Sequence, residues 1–401
     1  MRPFDGRRIL LGITGGIASY KSAWLARLLT QAGAEVDVVM TRSAQEFIGA
    51  VTLQALTGRP VHTELFDSAQ ALDHIKLARA ADLVLVAPAT ADFLARAANA
   101  HANDLLAACL LATEAPVVLV PAMNDRMWSH AGTRRNVERV RELGYHVVDP
   151  DDGALAAGEG AGPGRMPEPE TIVAYAARTL EPHGGLAGLT VAVTAGPTRE
   201  PLDPIRYLSN RSSGRMGVEI AAAAWRRGAR VRLIAGPMTV ALPPGVQVST
   251  VETTEEMAAA VRAALPDADV LVMAAAPADF RPAQVAPSKI KKRSAPKEIE
   301  LVPTPDILMT TRASRKQGAI MVGFALETDD VLAGGRDKLA AKGLDLIVVN
   351  DATEAGAGFG VDTNRVTILS ASGGTDELPL MSKRDVAEAI LDRVEALRRG
   401  S

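Results

Sequence analysis

Several connections in this chain concentrate side chains able to do chemistry. The longest is AGPTREPLDPIRYLSNRSSGRMG (195–217), which carries Arg206, Asn210, Arg211, Ser212, Ser213 and Arg215. It joins an apolar run, LTVAVT, to an alanine-rich amphipathic stretch, where a handful of residues usually suffices. Guanidinium groups pair bidentately with phosphate and carboxylate oxygens. A Ser-Ser-Gly turn ahead of a helix offers backbone N–H groups to an anion. Such a loop suits a ligand with several anionic groups; the plain alternative is a solvated polar loop. TGGIASYK (14–21) is a second strand-to-helix turn, where Gly15 and Gly16 permit close backbone approach and Ser19 is placed to cap. It is not GxGxxG, so the dinucleotide fingerprint is absent, and a plain tight turn is the competing reading. TRSAQEF (41–47), APATADFLARAANAHANDLL (87–106) and PAMNDRMW (121–128) add polar turns after apolar runs. His74 has apolar helical neighbours, Leu77 and Ala78, which favours a core histidine. SKIKKR (288–293) reads first as a solvated charge run. Lys338 and Lys342 stand four apart on one helix face and can converge on one ligand.

The elements that must position these groups alternate. RILLGIT (8–14), EVDVVM (35–40), DLVLVA (82–87) and APVVLVPA (115–122) read as buried strands with helices between them. After EPHGGLAG (181–188), a linker by composition, the alternation restarts with LTVAVT, ARVRLIA, VQVSTV, DVLVMAA, AIMVGFA and LDLIVVN. Short apolar, β-branched runs separated by helices predict parallel sheets covered on both faces. Ligands bind such sheets at the C-terminal strand ends. DDGALAAGEGAGPGRMP, around 150–167, lacks periodicity and is expected to be a flexible loop.

Composition narrows the function classes. The chain has 401 residues and a formal net charge of −3, so two or three domains fit, and no general field attracts nucleic acid or membrane. One cysteine, Cys109, excludes an internal disulfide and a cysteine metal cage and suits a reducing cytoplasmic location. It is expected to be a small buried core residue. MRPFDGRR is unlike a signal peptide, and no apolar run reaches about 18 residues, so no membrane span is expected.

In this order, TGGIASYK, HIKLAR, APATADFLARAANAHANDLL, PAMNDRMW and GPGRM resemble the FMN-dependent cysteine decarboxylase flavoproteins, most specifically phosphopantothenoylcysteine decarboxylase. The resemblance implies a flavodoxin-like domain with FMN held by Gly15, Gly16, Ile17, Ser43, Pro88, Ala89, Thr90 and Met123. It makes His74 the active-site histidine and Asn124, with Met123, the holder of the substrate carboxylate. It makes Ala154–Arg165, followed by Met166, a flap over the substrate. In the family a flap cysteine before a Gly–acid pair protonates the enethiolate. Here Ala157 precedes Gly158–Glu159. Another acid such as Glu159 or water then donates, the half-reaction stops at the enethiol, or the alanine is an introduced change.

Residues 195–217 resemble the signature loop of phosphopantothenate–cysteine ligase. Together the two resemblances span nearly the whole chain, in the order of a bacterial fusion serving coenzyme A biosynthesis. They imply two Rossmann-like three-layer α/β domains, 1–181 and 189–401, joined by a linker at 182–188. They imply CTP at Ser212, Ser213, Gly214, Ala275, Asp279, Lys289, Phe324, Lys338 and Lys342, with Asp279 also toward Mg2+. Arg206, Asn210 and Lys289 would be catalytic, Lys289 closing over the site in the second step. The implied reaction activates 4′-phosphopantothenate as an acyl-cytidylate, and cysteine displaces CMP. The small-molecule partners would be 4′-phosphopantothenate, cysteine and CTP. The family assembles trimers through the flavin half and dimers through the ligase half, giving a homo-oligomeric dodecamer. Competing readings are a working ligase with an incomplete decarboxylase, motivated by Ala157, and a non-catalytic phosphatase-binding flavoprotein, which the intact 195–217 loop opposes. An NAD oxidoreductase requires the GxGxxG turn that is missing.

Overall fold

A run such as Leu83–Ala89 is buried at every position. It has no polar face, so both sides need a cover. The computed structural model describes residues 3–65, 72–156, 158, 160–181, 184–291, 298–327, 331–351 and 361–400. It forms two compact units, Met1–Pro182 and His183–Ser401.

In the first unit the strands β1 (Arg8–Ile13), β2 (Glu35–Met40), β3 (Val61–His62), β4 (Leu83–Ala89), β5 (Val117–Pro121) and β6 (His146–Val147) pair in parallel. Their order is β3-β2-β1-β4-β5-β6. The helices are α1 (Ser19–Gln31), α2 (Ala50–Thr57), α3 (Asp73–Ala80), α4 (Ala91–Ala98), α5 (Leu105–Ala112), α6 (Asp125–Ser129), α7 (Ala131–Glu142) and α8 (Pro169–Leu180). Alternate residues of one strand feed two layers. Ile9, Leu11 and Ile13 join Leu25 and Leu29 of α1, Leu53 of α2 and Ile172 of α8. Leu10 joins Phe93, Leu106 and Val137 from α4, α5 and α7 on the other face. Strand order reverses between β1 and β4, the place where such sheets bind ligands. This is the expected three-layer, flavodoxin-like arrangement.

Cys109 is fully buried in α5. Burial, then Asp104 and Asp73, push its thiol up to about 12, so the unreactive neutral form prevails at ordinary pH. A disulfide thiol reagent at neutral pH is therefore expected to leave the folded protein unlabelled while modifying the urea-unfolded chain. Equal labelling rates would contradict this placement.

Within the stretch expected to be a flexible loop, β7 (Asp151–Ala154) pairs with β8 (Ala161–Arg165) as a hairpin. The strands DDGA and AGPGR lack alternation, so the pairing is invisible to periodicity. Their glycines permit it: Gly164 has φ of +139°, and a Cβ there would lie 2.2 Å from the Met123 carbonyl oxygen.

In the second unit β9 (Thr190–Ala195) leads into a small hairpin, β10 (Arg199–Pro201) with β11 (Tyr207–Ser209), before α9 (Arg215–Arg226) and β12 (Arg230–Ala235). The chain continues through β13 (Gln247–Thr250), α10 (Thr254–Ala264), β14 (Val270–Met273), and a second hairpin, β15 (Phe280–Pro282) with β16 (Leu301–Pro303). Then come α11 (Ile307–Thr310), β17 (Ile320–Glu327), α12 (Val331–Lys342) and β18 (Leu346–Asp351). The remaining elements are β19 (Thr363–Asn364), β20 (Val366–Ser370), β21 (Thr375–Glu377), β22 (Met381–Ser382) and α13 (Lys383–Arg399). The main sheet runs β13-β12-β9-β14-β17-β18-β20-β21, with β20 and β21 antiparallel at one edge. Its order reverses between β9 and β14. Gly217 lets α9 close onto β9: a Cβ there would lie 2.5 Å from Ala195 Cβ.

The stretch expected to be a linker packs instead onto this unit. Leu186 is fully buried, and a Cβ on Gly184 would lie 2.3 Å from the Arg227 carbonyl oxygen. The glycines permit close approach rather than slack. Residues 182–183 lie outside the described residues. Among the described residues, no helix is long and apolar enough to cross a membrane.

Candidate active sites

Four connections leave the C-terminal ends of β1, β2, β4 and β5. Thr14, 1% exposed, binds the first to the third: its Oγ1 donates to the Pro88 carbonyl (2.8 Å) and accepts from Thr90 N–H (3.1 Å). Gly15 presses the first onto the second, since a Cβ there would lie 2.3 Å from Ser43 Cβ. Ser43 sits in the short 3-10 turn Arg42–Glu46, capped by Thr41. Gly16 faces a more open side, with only Thr90 Cγ2 near its missing Cβ, at 3.9 Å. Gly15, Gly16, Ser43, Pro88, Ala89 and Thr90 are thus brought to one edge; Ile17, in the same turn, is 66% exposed. Ser19 does not cap α1. Its hydroxyl donates to the Gly16 and Thr14 carbonyls, holding the turn. α1 has no side-chain cap; the N–H groups of Ser19, Tyr20 and Lys21 donate instead to the Gly16, Ile17 and Ala18 carbonyls, winding the turn tightly into the helix.

Asn124 caps α6, accepting from Arg126 N–H at 2.9 Å. Met123 N–H donates to the Gly164 carbonyl at 3.0 Å, docking the hairpin on the loop that carries Asn124. His74 stands in the first turn of α3, which leads down into β4, so it lies at the same sheet edge. Its Nδ1 is buried without a hydrogen-bond partner, a state that a bound group would relieve. Arg165 ends β8, and Met166 is buried beyond it. Ala157 and Glu159 lie outside the described residues.

The second unit holds a cavity of about 500 Å³ between the start of α9 and the C-terminal ends of β14, β17 and β18. Asn210, Ser212, Ser213 and Gly214 line it, and so do Ala275, Asp279, Phe324, Lys338 and Lys342. Gly214, at φ +79°, is the N-cap of α9 and has no side-chain cap. Thr194 Oγ1 accepts from Ala275 N–H at 3.1 Å, and Asn210 Nδ2 donates to the Pro277 (2.9 Å) and Ala276 (3.3 Å) carbonyls. Lys342 pairs with Asp306 at 3.0 Å.

Arg206 and Lys289 are not among the residues lining that cavity. Lys289 lines a second cavity with Leu202, Gln284 and Glu298. Arg206 is engaged by Asp203, through Nε at 3.0 Å, and donates from Nη2 to the Ile290 carbonyl at 2.7 Å. Asp203 also accepts from Ile290 N–H at 3.1 Å and from the backbone N–H groups of Ile205 and Arg206. The pair therefore latches the segment that carries Lys289. Sequence reasoning passed over Asp203, although Asp-Pro at 203–204 signals an Asx-type turn. It also missed Lys383 and Asn364, which line the main cavity from the far end of the chain. Lys383 is 4% exposed, and burial, then Arg215, hold its ammonium below the usual lysine range. Asn364 Oδ1 is buried without a partner.

The Arg206 guanidinium and three backbone N–H groups hold the Asp203 carboxyl well below the usual range, against the opposing cost of burial. A carboxyl with a depressed folded pKa stabilises the fold above its unfolded pKa and loses that contribution as pH falls through the folded value. Asp203→Asn is therefore expected to lower the melting temperature at pH 7, with the gap to the parent closing in strong acid. A gap that stays constant from pH 7 to about pH 2, measured by circular dichroism, would assign the loss to packing instead.

Residues 2–181 match the model of the flavoprotein family, and residues 186–397 match that of the DNA/pantothenate metabolism flavoprotein C-terminal domain. Fold and family models together define a fused flavoprotein of pantothenate metabolism. The chain is 45% identical to the coenzyme A biosynthesis bifunctional protein CoaBC of Escherichia coli (strain K12), over 97% of each chain. It is 44% identical to that of Bacillus subtilis (strain 168), over 98% of each. A crystal structure of the C-terminal domain of a CoaBC protein matches at 36% identity and TM-score 0.47, over 54% of this chain and 100% of that one. The chain belongs to the bifunctional CoaBC family of coenzyme A biosynthesis. It is a bifunctional enzyme with phosphopantothenoylcysteine decarboxylase and phosphopantothenate–cysteine ligase activities.

The residues present fit the groups these activities require. The Gly15–Gly16 turn, open beside Gly16, and the orphaned His74 nitrogen suit a phosphorylated flavin. Asp279 borders the main cavity of the second unit, a carboxylate of the kind that Mg2+ arriving on a nucleotide would take beside its phosphate ligands.

Proposed function

We propose that residues 1–181 decarboxylate with FMN and residues 189–401 ligate with CTP and Mg2+, in the cytoplasm. The observation that carries the ligase assignment is the convergence of Asn210, Ser212–Gly214, Asp279, Phe324 and Lys338 on one cavity. There Ser212, Ser213 and the N-terminus of α9 hold phosphate oxygens. Phe324, Ala275, Lys338 and Lys342 hold the nucleoside, and Asp279 the triphosphate's Mg2+. The carboxylate of 4′-phosphopantothenate attacks the α-phosphorus of CTP and pyrophosphate leaves. The amine of cysteine then attacks the acyl carbon, and CMP leaves. Asn210, a neutral amide, holds the acyl-cytidylate without repelling it. Lys289, on the segment latched by Asp203 and Arg206, covers it in the second step. Positioning and charge neutralisation suffice for such mixed-anhydride chemistry.

In the flavin half, Gly15–Ile17, Ser43 and Pro88–Thr90 hold FMN, with Met123 beside it. FMN supplies, when bound, oxidation at the sulfur-bearing carbon and the later return of hydride. Asn124 and Met123 hold the carboxylate that is lost, His74 hydrogen-bonds at its free nitrogen, and the β7–β8 hairpin excludes water.

A homo-oligomer, trimeric through the flavin half and dimeric through the ligase half, completes this reading. Ile17, Tyr20 and Trp24, exposed along one side of α1 and its approach, support the first contact; Ile205, Tyr207 and Phe280, exposed on the two hairpins, support the second.

The test is a single-tube assay: the protein with 4′-phosphopantothenate, cysteine, CTP and Mg2+, read by mass spectrometry. The expected products are 4′-phosphopantetheine and CMP. Stalling at phosphopantothenoylcysteine, or at its decarboxylated enethiol, would remove the proposed route through the flavin half. Absence of CMP would remove the route through the ligase half.

A further inference from the structure

We propose that Lys21 is a positioning residue for decarboxylation, clamping the β7–β8 hairpin to the helix that opens on the Gly15–Gly16 turn. Lys21 lies in the first turn of α1, and its side chain is only 7% exposed. Its Nζ donates to the Met166 carbonyl at 2.7 Å and to Glu168 Oε1 at 3.0 Å. Met166 follows directly on β8, and the same Glu168 oxygen accepts from Arg165, the last residue of β8. One turn along α1, Trp24 Nε1 donates to Glu170 Oε1 at 2.9 Å.

The return strand of the hairpin is thereby held twice. Met123 N–H takes the Gly164 carbonyl, and Lys21 takes the Met166 carbonyl two residues later. The first bond fixes the hairpin to the loop carrying Asn124. The second fixes it to the turn carrying Gly15, Gly16 and Ile17. A methionine or leucine fills such a space without the cost of burying an ammonium. What the ammonium adds is direction: one carbonyl and one carboxylate, each at a defined place just beyond β8. The clamp therefore sets where the hairpin sits relative to bound flavin and substrate, while Lys21 touches neither. The inference rests on the reading that this hairpin covers the substrate.

The experiment uses the full-length protein with Lys21→Met, Lys21→Arg and Glu168→Gln. Four quantities are read: flavin per chain, amide hydrogen exchange across 151–166, kcat and KM for phosphopantothenoylcysteine, and CTP-dependent ligation. Lys21→Met is expected to keep flavin and ligation. It is expected to raise exchange in the hairpin and KM each by about tenfold, with a smaller fall in kcat. Glu168→Gln, which retains the Met166 bond, is expected to show a smaller change of the same kind, and Lys21→Arg partial rescue. Exchange and KM both within about twofold of the parent would overturn the proposal. Loss of flavin in both Lys21→Met and Glu168→Gln would also overturn it, assigning the clamp to folding alone. If Lys21→Met does not fold, Glu168→Gln decides by the same two readouts. A parent protein that fails to decarboxylate sinks the reading of the hairpin as a substrate cover, whereas hydrogen exchange still decides whether Lys21 clamps it.

Discussion

Gly15→Ala is expected to yield protein that purifies without flavin colour. The added Cβ would lie 2.3 Å from Ser43 Cβ and 2.9 Å from the Ser43 carbonyl carbon. A backbone atom cannot rotate away as a side-chain tip does, so the two loops must separate. Overpacking of this kind costs about 1–3 kcal/mol, and the separation opens the turn expected to grip the flavin phosphate. Flavin per chain should fall at least tenfold, roughly the effect of 1.4 kcal/mol on a binding constant. CTP-dependent ligation should persist, because the proposed function places it in the other unit. Gly16→Ala is the informative partner. Its Cβ would meet only Thr90 Cγ2, at 3.9 Å, so the apoprotein should melt as the parent does while flavin affinity drops. Full flavin retention in Gly15→Ala would show that this turn does not hold the cofactor.

Asn210→Asp is expected to reduce ligation by about a hundredfold or more, the consequence of losing some 3 kcal/mol of stabilisation. The amide donates to the Pro277 and Ala276 carbonyls at 2.9 and 3.3 Å. A carboxylate has no hydrogen for either, and it adds negative charge to a cavity proposed to hold a triphosphate. Asn210→Ala loses only the donors, so it should be the milder variant. Decarboxylation of supplied phosphopantothenoylcysteine should be unchanged in both. If Asn210→Asp ligates as well as Asn210→Ala, charge is not what this position guards against.

Much of the frame was legible along the chain. The short apolar runs mark the strands because a parallel sheet covered on both faces tolerates no polar side. Ile9, Leu10 and Leu11 divide between two cores for the same reason. Loops that leave the C-terminal strand ends were the natural place for chemistry, and Ser212–Gly214, Asp279, Phe324, Lys338 and Lys342 do share one cavity. Less legible were pairings with no periodic signal. The DDGA and AGPGR strands read as loop because glycine and proline suppress alternation, and the EPHGGLAG stretch read as slack although Leu186 anchors it.

The sequence by itself determined the two α/β units, the turns at their strand ends and the family to which the chain belongs. Periodicity and local turn chemistry are properties of neighbouring residues, so they survive in one dimension. Only the tertiary structure decided that Arg206 turns to Asp203 and Ile290, that Lys383 and Asn364 border the main cavity of the second unit, and that Lys21 reaches Met166. Those partners lie from three to well over a hundred residues apart. Long side chains choose among all the acceptors that folding brings near, and burial then makes an unpaired charge costly. Spacing along the chain carries no record of that choice.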